Sequence, residues 1–290
     1  MSTHDLHARV AATILTQLET ADPASWNPPW HGANPMPRNA RTGRRYRGIN
    51  VMVLWCAAQA QGYAEARWAT YRQWAALGAQ IRKGERGTLV IFYKDLPRDA
   101  RTNDADPDAT GAPFVARAAH VFNVAQVGGA PAPTDGTTFG ALPPAPVPPF
   151  DTFVAATGAL IREGGARSCY VPATDTIHLP PRSTFHTQEG YTATLAHELV
   201  HWTGAPHRLA RDLSGRFGTH DYAAEELVAE LGAAFVLADL GLARVPHPDH
   251  AAYSASWVPL LRADPRALSH AAAQGSRAAE YLTALQSPAV

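Results

Sequence analysis

The stretch TLAHELVHWTGAPHR, residues 194–208, decides how the chain is read. Its core, His197-Glu198-Leu199-Val200-His201, sets two imidazoles four positions apart. On a helix that spacing puts both rings on one face, one turn apart, where they can reach a single ion with Glu198 beside its open coordination position. Alanines and leucines occupy the other faces, as a helix buried around such a site requires. Gly204 and Pro206 end the predicted helix, 187–202.

A second long helix is predicted from 222 to about 240, through YAAEELVAELGAAFVLADL, and it carries Glu225, Glu226 and Glu230. Glu226 and Glu230 share a face at i, i+4 spacing, so this helix is the source of a carboxylate third ligand and of an acid that orients a histidine. Spacing leaves all three glutamates open as the ligand. A competing reading pairs these carboxylates with Arg208 or Arg211 in ordinary salt bridges.

The His-Glu-x-x-His motif followed by this acidic helix resembles the gluzincin peptidases. That resemblance implies His197, His201 and Glu226 as ligands, Glu198 as general base and Glu230 as a hydrogen-bond partner behind a histidine. It also implies a loop Tyr or His that helps stabilise the oxyanion, with Tyr222, His207 and His220 as candidates.

The chain has 290 residues, 46% of them hydrophobic, enough for one large domain or two ordinary ones. Its formal charge is zero but unevenly spread. Residues 38–101 hold thirteen Lys/Arg against four Asp/Glu, whereas 151–290 hold ten against fourteen. A basic front half points to a polyanion partner. The two cysteines, Cys56 in an apolar helix and Cys169 in a strand, are read as buried hydrophobes in a reducing compartment. The first twenty residues read as an amphipathic helix, and no run is long and apolar enough to span a membrane, so the expectation is a soluble cytoplasmic protein.

In the front half, WNPPWHGANPMPRNARTGRRYRGIN (26–50) mixes aromatics and arginines in a Pro/Gly-rich loop. Helices are predicted over 49–61 and 70–79, a strand over 89–93 after a KGERG turn, and a returning strand pair over 114–127. Residues 95–113 read as an irregular acidic excursion. Interleaved rings and cations suit single strands, whose bases stack on exposed aromatics while Arg and Lys follow the phosphates. Trp55, Trp68 and Trp74 are assigned to the core. The nucleic-acid candidates are Trp30, Arg38, Asn39, Arg41, Arg44, Arg45, Tyr46, Arg47, Asn50, Arg82 and Lys83. Residues 128–150, with seven prolines, are read as a linker between a domain at 1–127 and another at 151–290. The second opens with a helix, 151 to about 164, then an edge strand at 176–179. Beyond the acidic helix, 251–262 and 264–286 read as further helices.

WNPPW, P-x-N-x-x-TG-x-x-YRGIN, LGAQIRKGERGTLVIFY, HVFNVAQ, ATLAHELVHWTG and YAAEELVAELGAAFVL, in this order over most of the chain, resemble the ArdC-type antirestriction proteins, which occur on conjugative plasmids and other mobile elements and whose region accompanies conjugative primases. The resemblance implies an α+β, two-domain chain: an N-terminal α/β domain that binds single-stranded DNA and a C-terminal, mainly helical zincin-like metallopeptidase domain with a small sheet. It implies one Zn2+ per chain, a host restriction or regulatory protein as peptidase substrate, and protection of incoming DNA from host restriction. Two alternatives are a DNA-binding protein whose zinc domain is structural, and a regulatory zinc protease that cleaves a repressor.

Overall fold

In the computed structural model, residues 12, 15–16, 30–32, 35–95, 114–131, 150–215, 219–242, 250–264 and 266–286 are described. The expected first helix, the excursion at 95–113 and the Pro-rich segment lie mostly outside them.

The front half is built on a four-stranded sheet of order β1-β2-β5-β4, formed by β1 (Arg38–Asn39), β2 (Arg67–Thr70), β4 (Thr88–Asp95) and β5 (Phe114–Asn123). The β4–β5 pair is antiparallel from Thr88↔Val121 to Asp95↔Phe114, and β1 runs parallel to β2. Helix α1 (Ile49–Gln61) is apolar on nearly every side, so it is buried rather than amphipathic. Its Asn50 clamps edge strand β4, accepting from Ile91 N–H at 2.9 Å and donating to Ile91 C=O at 2.6 Å. Both groups at that edge are thereby satisfied. Helix α2 (Tyr71–Ala76) starts at a capping box in which Thr70 and Gln73 hold each other's backbone. A two-stranded pair, β3 (Gln80–Ile81) with β6 (Val127–Gly128), completes this half.

The back half begins with α3 (Phe150–Thr157). The helix expected to reach about 164 stops here because Gly158 takes φ 69°, a left-handed residue that turns the chain into β7 (Leu160–Glu163). β9 (Thr176–Leu179) then lies in the middle of a three-stranded sheet, parallel to β7 and antiparallel to β8 (Cys169–Val171). The strand at 176–179 is therefore central and not an edge. Four helices follow: α4 (Gln188–Thr203), α5 (His220–Asp239), α6 (His250–Ala263) and α7 (Ala267–Ala284). α5 and α7 cross where glycines meet: a Cβ on Gly275 would sit 2.9 Å from Gly232 N and 3.2 Å from its Cα. Only glycines allow backbones this close.

One continuous hydrophobic core runs through both halves, from Trp30, Met52 and Trp55 to Phe235, Trp257 and Leu282. Trp55 packs on Phe235 with ring centroids 5.6 Å apart, and Trp30 on Trp257 at 6.1 Å. Polar links reinforce it: Arg45 pairs with Asp239, Arg47 with Glu280 at 2.7 Å, and Gly48 N–H donates to Ser276 Oγ at 2.7 Å. Among the described residues no helix is long and apolar enough to cross a membrane.

Candidate metal centre

The motif helix α4 starts at Thr187, whose hydroxyl accepts from Gly190 N–H at 3.0 Å, and is buried almost all round from Tyr191 to Val200. His197 and Glu198 are 2% and 4% exposed. Such burial of ionisable groups is tolerated only with partners. Helix α5 lies against α4 and supplies them.

His197 Nε2 and His201 Nε2 face each other at 3.1 Å. Glu226 closes the triangle, with Oε2 at 3.2 Å from His197 Nε2 and Oε1 at 3.7 Å from His201 Nε2. A four-coordinate ion about 2.0–2.1 Å from its donors keeps neighbouring donors about 3.3 Å apart. The three side chains thus already approximate one face of such a tetrahedron, and among the described residues no fourth protein donor joins the cluster. Two nitrogens and a carboxylate, with a fourth position left open, fit zinc or a similar divalent cation.

Behind each imidazole stands a second carboxylate. Glu225 Oε1 lies 3.1 Å from His201 Nδ1 and is itself gripped by Arg211 at 2.9–3.3 Å. Arg211 also donates to Val200 C=O at 2.6 Å and Thr203 Oγ1 at 2.9 Å, which fixes it to the end of α4. Glu230 Oε2 stands 3.9 Å from His197 Nδ1. Its Oε1 meets His31 Nε2 at 2.6 Å and accepts from Trp30 Nε1 at 3.3 Å. Glu225, at hydrogen-bond distance from Nδ1, fixes the His201 ring with Nε2 toward the ion, whereas Glu230, at 3.9 Å, acts on His197 as a nearby charge.

The electrostatics follow from this crowding. Burial favours neutral His197, but its hydrogen bond to Glu226 and the charges of Glu226, Glu198 and Glu230 outweigh that and raise it to about 9. Burial likewise opposes ionisation of Glu226, yet the two histidines hold it down at about 2. Glu225 is lowered, His201 and Arg211 overcoming its burial. Glu198 is raised, chiefly by burial, and its Oε2 has no hydrogen-bond partner among the described residues. The metal-free cluster is therefore an ion pair of protonated His197 with Glu226, and Glu198 stands apart as the basic carboxylate.

The cluster opens into a cleft of about 200 Å³ lined also by Cys169, Tyr170, Leu213 and Tyr222. Tyr222 hydrogen-bonds Glu226. His207 and His220, the other oxyanion candidates, are exposed outside that lining. Cys169 is exposed at the cleft, not buried as expected, because β8 is the outer strand of its sheet.

The nucleic-acid candidates divide. Trp30 (0% exposed), Tyr46 (6%) and Asn50 (8%) are interior, which corrects their assignment as surface contacts. Each is consumed by internal hydrogen bonds: Trp30 with Glu230, Tyr46 Oη with Trp68 C=O, Asn50 with Ile91. Asn39 is half-buried and its side chain accepts from the Arg41 and Thr42 N–H groups, so it shapes the turn. Arg38 is half-buried and Arg45 is engaged with Asp239. Arg41, Arg44, Arg47, Arg82 and Lys83 are exposed. Two exposed rings, Tyr71 at 51% and Phe92 at 40%, share that half, and Phe92 lies opposite Arg117 in the β4–β5 register. Trp55, Trp68 and Trp74 are core residues as expected. The sequence carries no signal for His31, because nothing in its surroundings points to a contact 199 positions away.

Residues 148–274 match the family model described as zincin-like metallopeptidase, and residues 4–122 match that of the N-terminal domain of anti-restriction factor ArdC. The chain is 43% identical to the protein y4eC of Sinorhizobium fredii, over 98% of this chain and 94% of that one. It is 38% identical to the DNA primase TraC of Escherichia coli over 97% of its own length, which spans 27% of the primase. Among solved structures it resembles the antirestriction protein ArdC of plasmid R388 in a Mn(II)-bound form (38% identity, TM-score 0.77, 97% of this chain and 98% of that one). The metal-free form of that protein is similar at a TM-score of 0.76 and 39% identity, with the same coverage.

Proposed function

Since this chain belongs to the ArdC antirestriction family, with an ArdC N-terminal domain and a zincin-like metallopeptidase domain, we propose that it protects entering DNA through two activities: single-strand binding by the front half and zinc-dependent hydrolysis of a host protein by the back half. The observation that carries the reading is the triangle of His197, His201 and Glu226 beside the buried Glu198. His197, His201 and Glu226 hold one zinc ion per chain. The Mn(II) form of the R388 relative supports a divalent cation in this fold. When bound, zinc supplies Lewis-acid polarisation of a carbonyl and acidifies a water molecule toward neutral pH. Glu198, its pKa raised by burial, takes a proton from the attacking water and returns it to the leaving amine. Tyr222, beside Glu226 at the cleft, donates a hydrogen bond to the oxygen that gains charge. Glu225 and Glu230 hold the two imidazoles in the orientation that presents Nε2.

In the front half, Arg41, Arg44 and Lys83 follow the phosphates, joined by Arg47 and Arg82 when these exchange Glu280 and Glu85 for a phosphate, and the exposed rings of Tyr71 and Phe92 offer stacking faces. The protein acts in the cytoplasm of the recipient, where single strands enter.

The test is transfer of an unmodified plasmid into a restricting host. Wild type, Glu198→Gln, His201→Ala and the double variant Arg41→Glu/Arg44→Glu are compared, with zinc content measured on each purified protein. The reading requires Glu198→Gln to keep its zinc and lose protection, and the arginine variant to lose protection with zinc intact. Full protection by Glu198→Gln would eliminate the peptidase role and leave a DNA-binding protein with a non-catalytic metal domain.

A further inference from the structure

The two histidines of the centre are supported differently. His201 is backed by Glu225, which Arg211 of the same half holds. His197 is backed by Glu230, whose other oxygen is held by residues from the far end of the chain: His31 Nε2 at 2.6 Å and Trp30 Nε1 at 3.3 Å. Both partners are locked in place. Trp30 is fully buried against Trp257, His31 is 6% exposed, and their rings meet edge to face at 6.2 Å. The segment after them is fastened to the same helices by Arg45–Asp239 on α5 and Gly48–Ser276 on α7. A buried carboxylate takes the orientation its donors dictate. Glu230 has its donors on one oxygen, and its other oxygen stands 3.9 Å from His197 Nδ1, an electrostatic contact that closes to a hydrogen bond only with a small shift of the ring.

We infer that His31 and Trp30 are positioning residues of the metal centre, so that the front half of the chain sets the orientation of His197 and thereby the affinity for the ion. This rests on the reading of His197, His201 and Glu226 as ligands. The DNA-binding half and the metal half then share one structural element, the Trp30–His31–Glu230–His197 chain. Displacing residues 30–31 weakens ion binding without touching a ligand.

The experiment measures Zn2+ affinity by competition with a chromophoric chelator, together with the Tm of the metal-free protein. It uses the full chain as wild type, His31→Ala, His31→Gln, Trp30→Phe, Glu230→Ala, His31→Ala/Glu230→Ala and His201→Ala. Loss of a partner that orients a ligand weakens metal binding by about 10- to 100-fold, and this is the loss expected for His31→Ala. His31→Gln, which still offers an N–H to Glu230, recovers most of it. Trp30→Phe, which keeps a ring and loses the donor, costs a few-fold. His31→Ala adds nothing in the Glu230→Ala background. A purely structural role would lower the metal-free Tm of the His31 variants and leave affinity within twofold of wild type. That outcome overturns the inference, as does a full additional loss in the double variant. Should His31→Ala fail to fold, Trp30→Phe and Glu230→Ala decide: zinc affinity within twofold of wild type in both overturns it. If wild type binds zinc no better than His201→Ala, the ligand assignment itself falls and the inference with it.

Discussion

Binding of a metal at the His197–His201–Glu226 triangle must displace a proton, and the size of that cost can be worked from the site. In the metal-free protein His197 titrates at about 9, so at pH 7 it sits about two units below its midpoint and is protonated in all but about one molecule in a hundred. Deprotonation therefore costs a few kcal/mol at pH 7 and nothing above pH 9, a difference in apparent affinity on the order of a hundredfold. Glu226, held at about 2, is ionised throughout and contributes no slope. The apparent zinc affinity, measured against a chelator of known pH dependence, should therefore rise about tenfold per pH unit from 6.5 to 9 and then level off. The stability of the metal-free chain runs the other way. A histidine raised from 6.5 stabilises the fold fully below 6.5 and loses that contribution as pH climbs through about 9. A carboxylate lowered from 4.5 stabilises it above 4.5 and loses that contribution as pH falls through about 2. Between about 4.5 and 6.5 the metal-free protein has its highest Tm from this pair, and the increment added by zinc should grow as the metal-free Tm declines. A zinc affinity flat between pH 7 and 9 would refute the reasoning, because it would mean that His197 is already neutral in the metal-free site.

Three further outcomes follow from particular contacts. Replacing Arg211 by Ala leaves Glu225 buried without its guanidinium, and breaking such a pair costs about 3–5 kcal/mol; a thermal melt should show a loss of that order, partly recovered by adding Glu225→Gln, and equal Tm values in the two variants would contradict it. Gly275→Val drives a side chain into the backbone of Gly232, and overpacking of about 1–3 kcal/mol outweighs the few tenths gained in helix propensity, so a drop of several degrees in Tm is expected and an unchanged Tm would show that α5 and α7 part freely. Arg41→Glu/Arg44→Glu removes two exposed cations, which should reduce the steepness of log Kd against log salt for an unstructured oligonucleotide by about 1.4, with zinc affinity unaltered; an unchanged slope would place the DNA path elsewhere.

The elements easiest to read in the sequence were those with a long period and a clear stop. The motif helix, capped by Thr187 and ended at Gly204, and the helix 49–61, whose apolar run ends before Gly62, emerged almost as expected. Short strands were harder. Leu160–Glu163 follows an apolar helical run with little polar break, and nothing in the local sequence distinguishes the left-handed Gly158 between them from the chain's other glycines. Thr176–Leu179 looked like an edge because Pro180 and Pro181 follow it, but prolines after a strand say nothing about its sides, where β7 and β8 both pair. At the centre, helix periodicity placed Glu226 and Glu230 on one face but left all three glutamates in play. What separates them in space is their neighbours: Arg211 and His201 take Glu225, His31 and Trp30 take Glu230, and Glu226 meets both Nε2 atoms. Burial of Trp30 is illegible for the same reason, since a Pro/Gly/Arg-rich loop reads as surface until Trp257 and Glu230 of the far half close over it, while Tyr46 is covered within its own half by Trp68 and Phe92.

The core shared by the two halves bears on inheritance. A gene fragment encoding either half alone would yield a protein with Trp55 facing away from Phe235, or Trp257 away from Trp30, and so with large apolar faces open to water. A fragment of that kind is expected to associate or aggregate through those faces. The homologous stretch within the Escherichia coli primase fits this: it corresponds to 97% of the present chain rather than to one half of it. The two activities proposed here thus rest on one folded body, and losing either half would strip the other of part of its core.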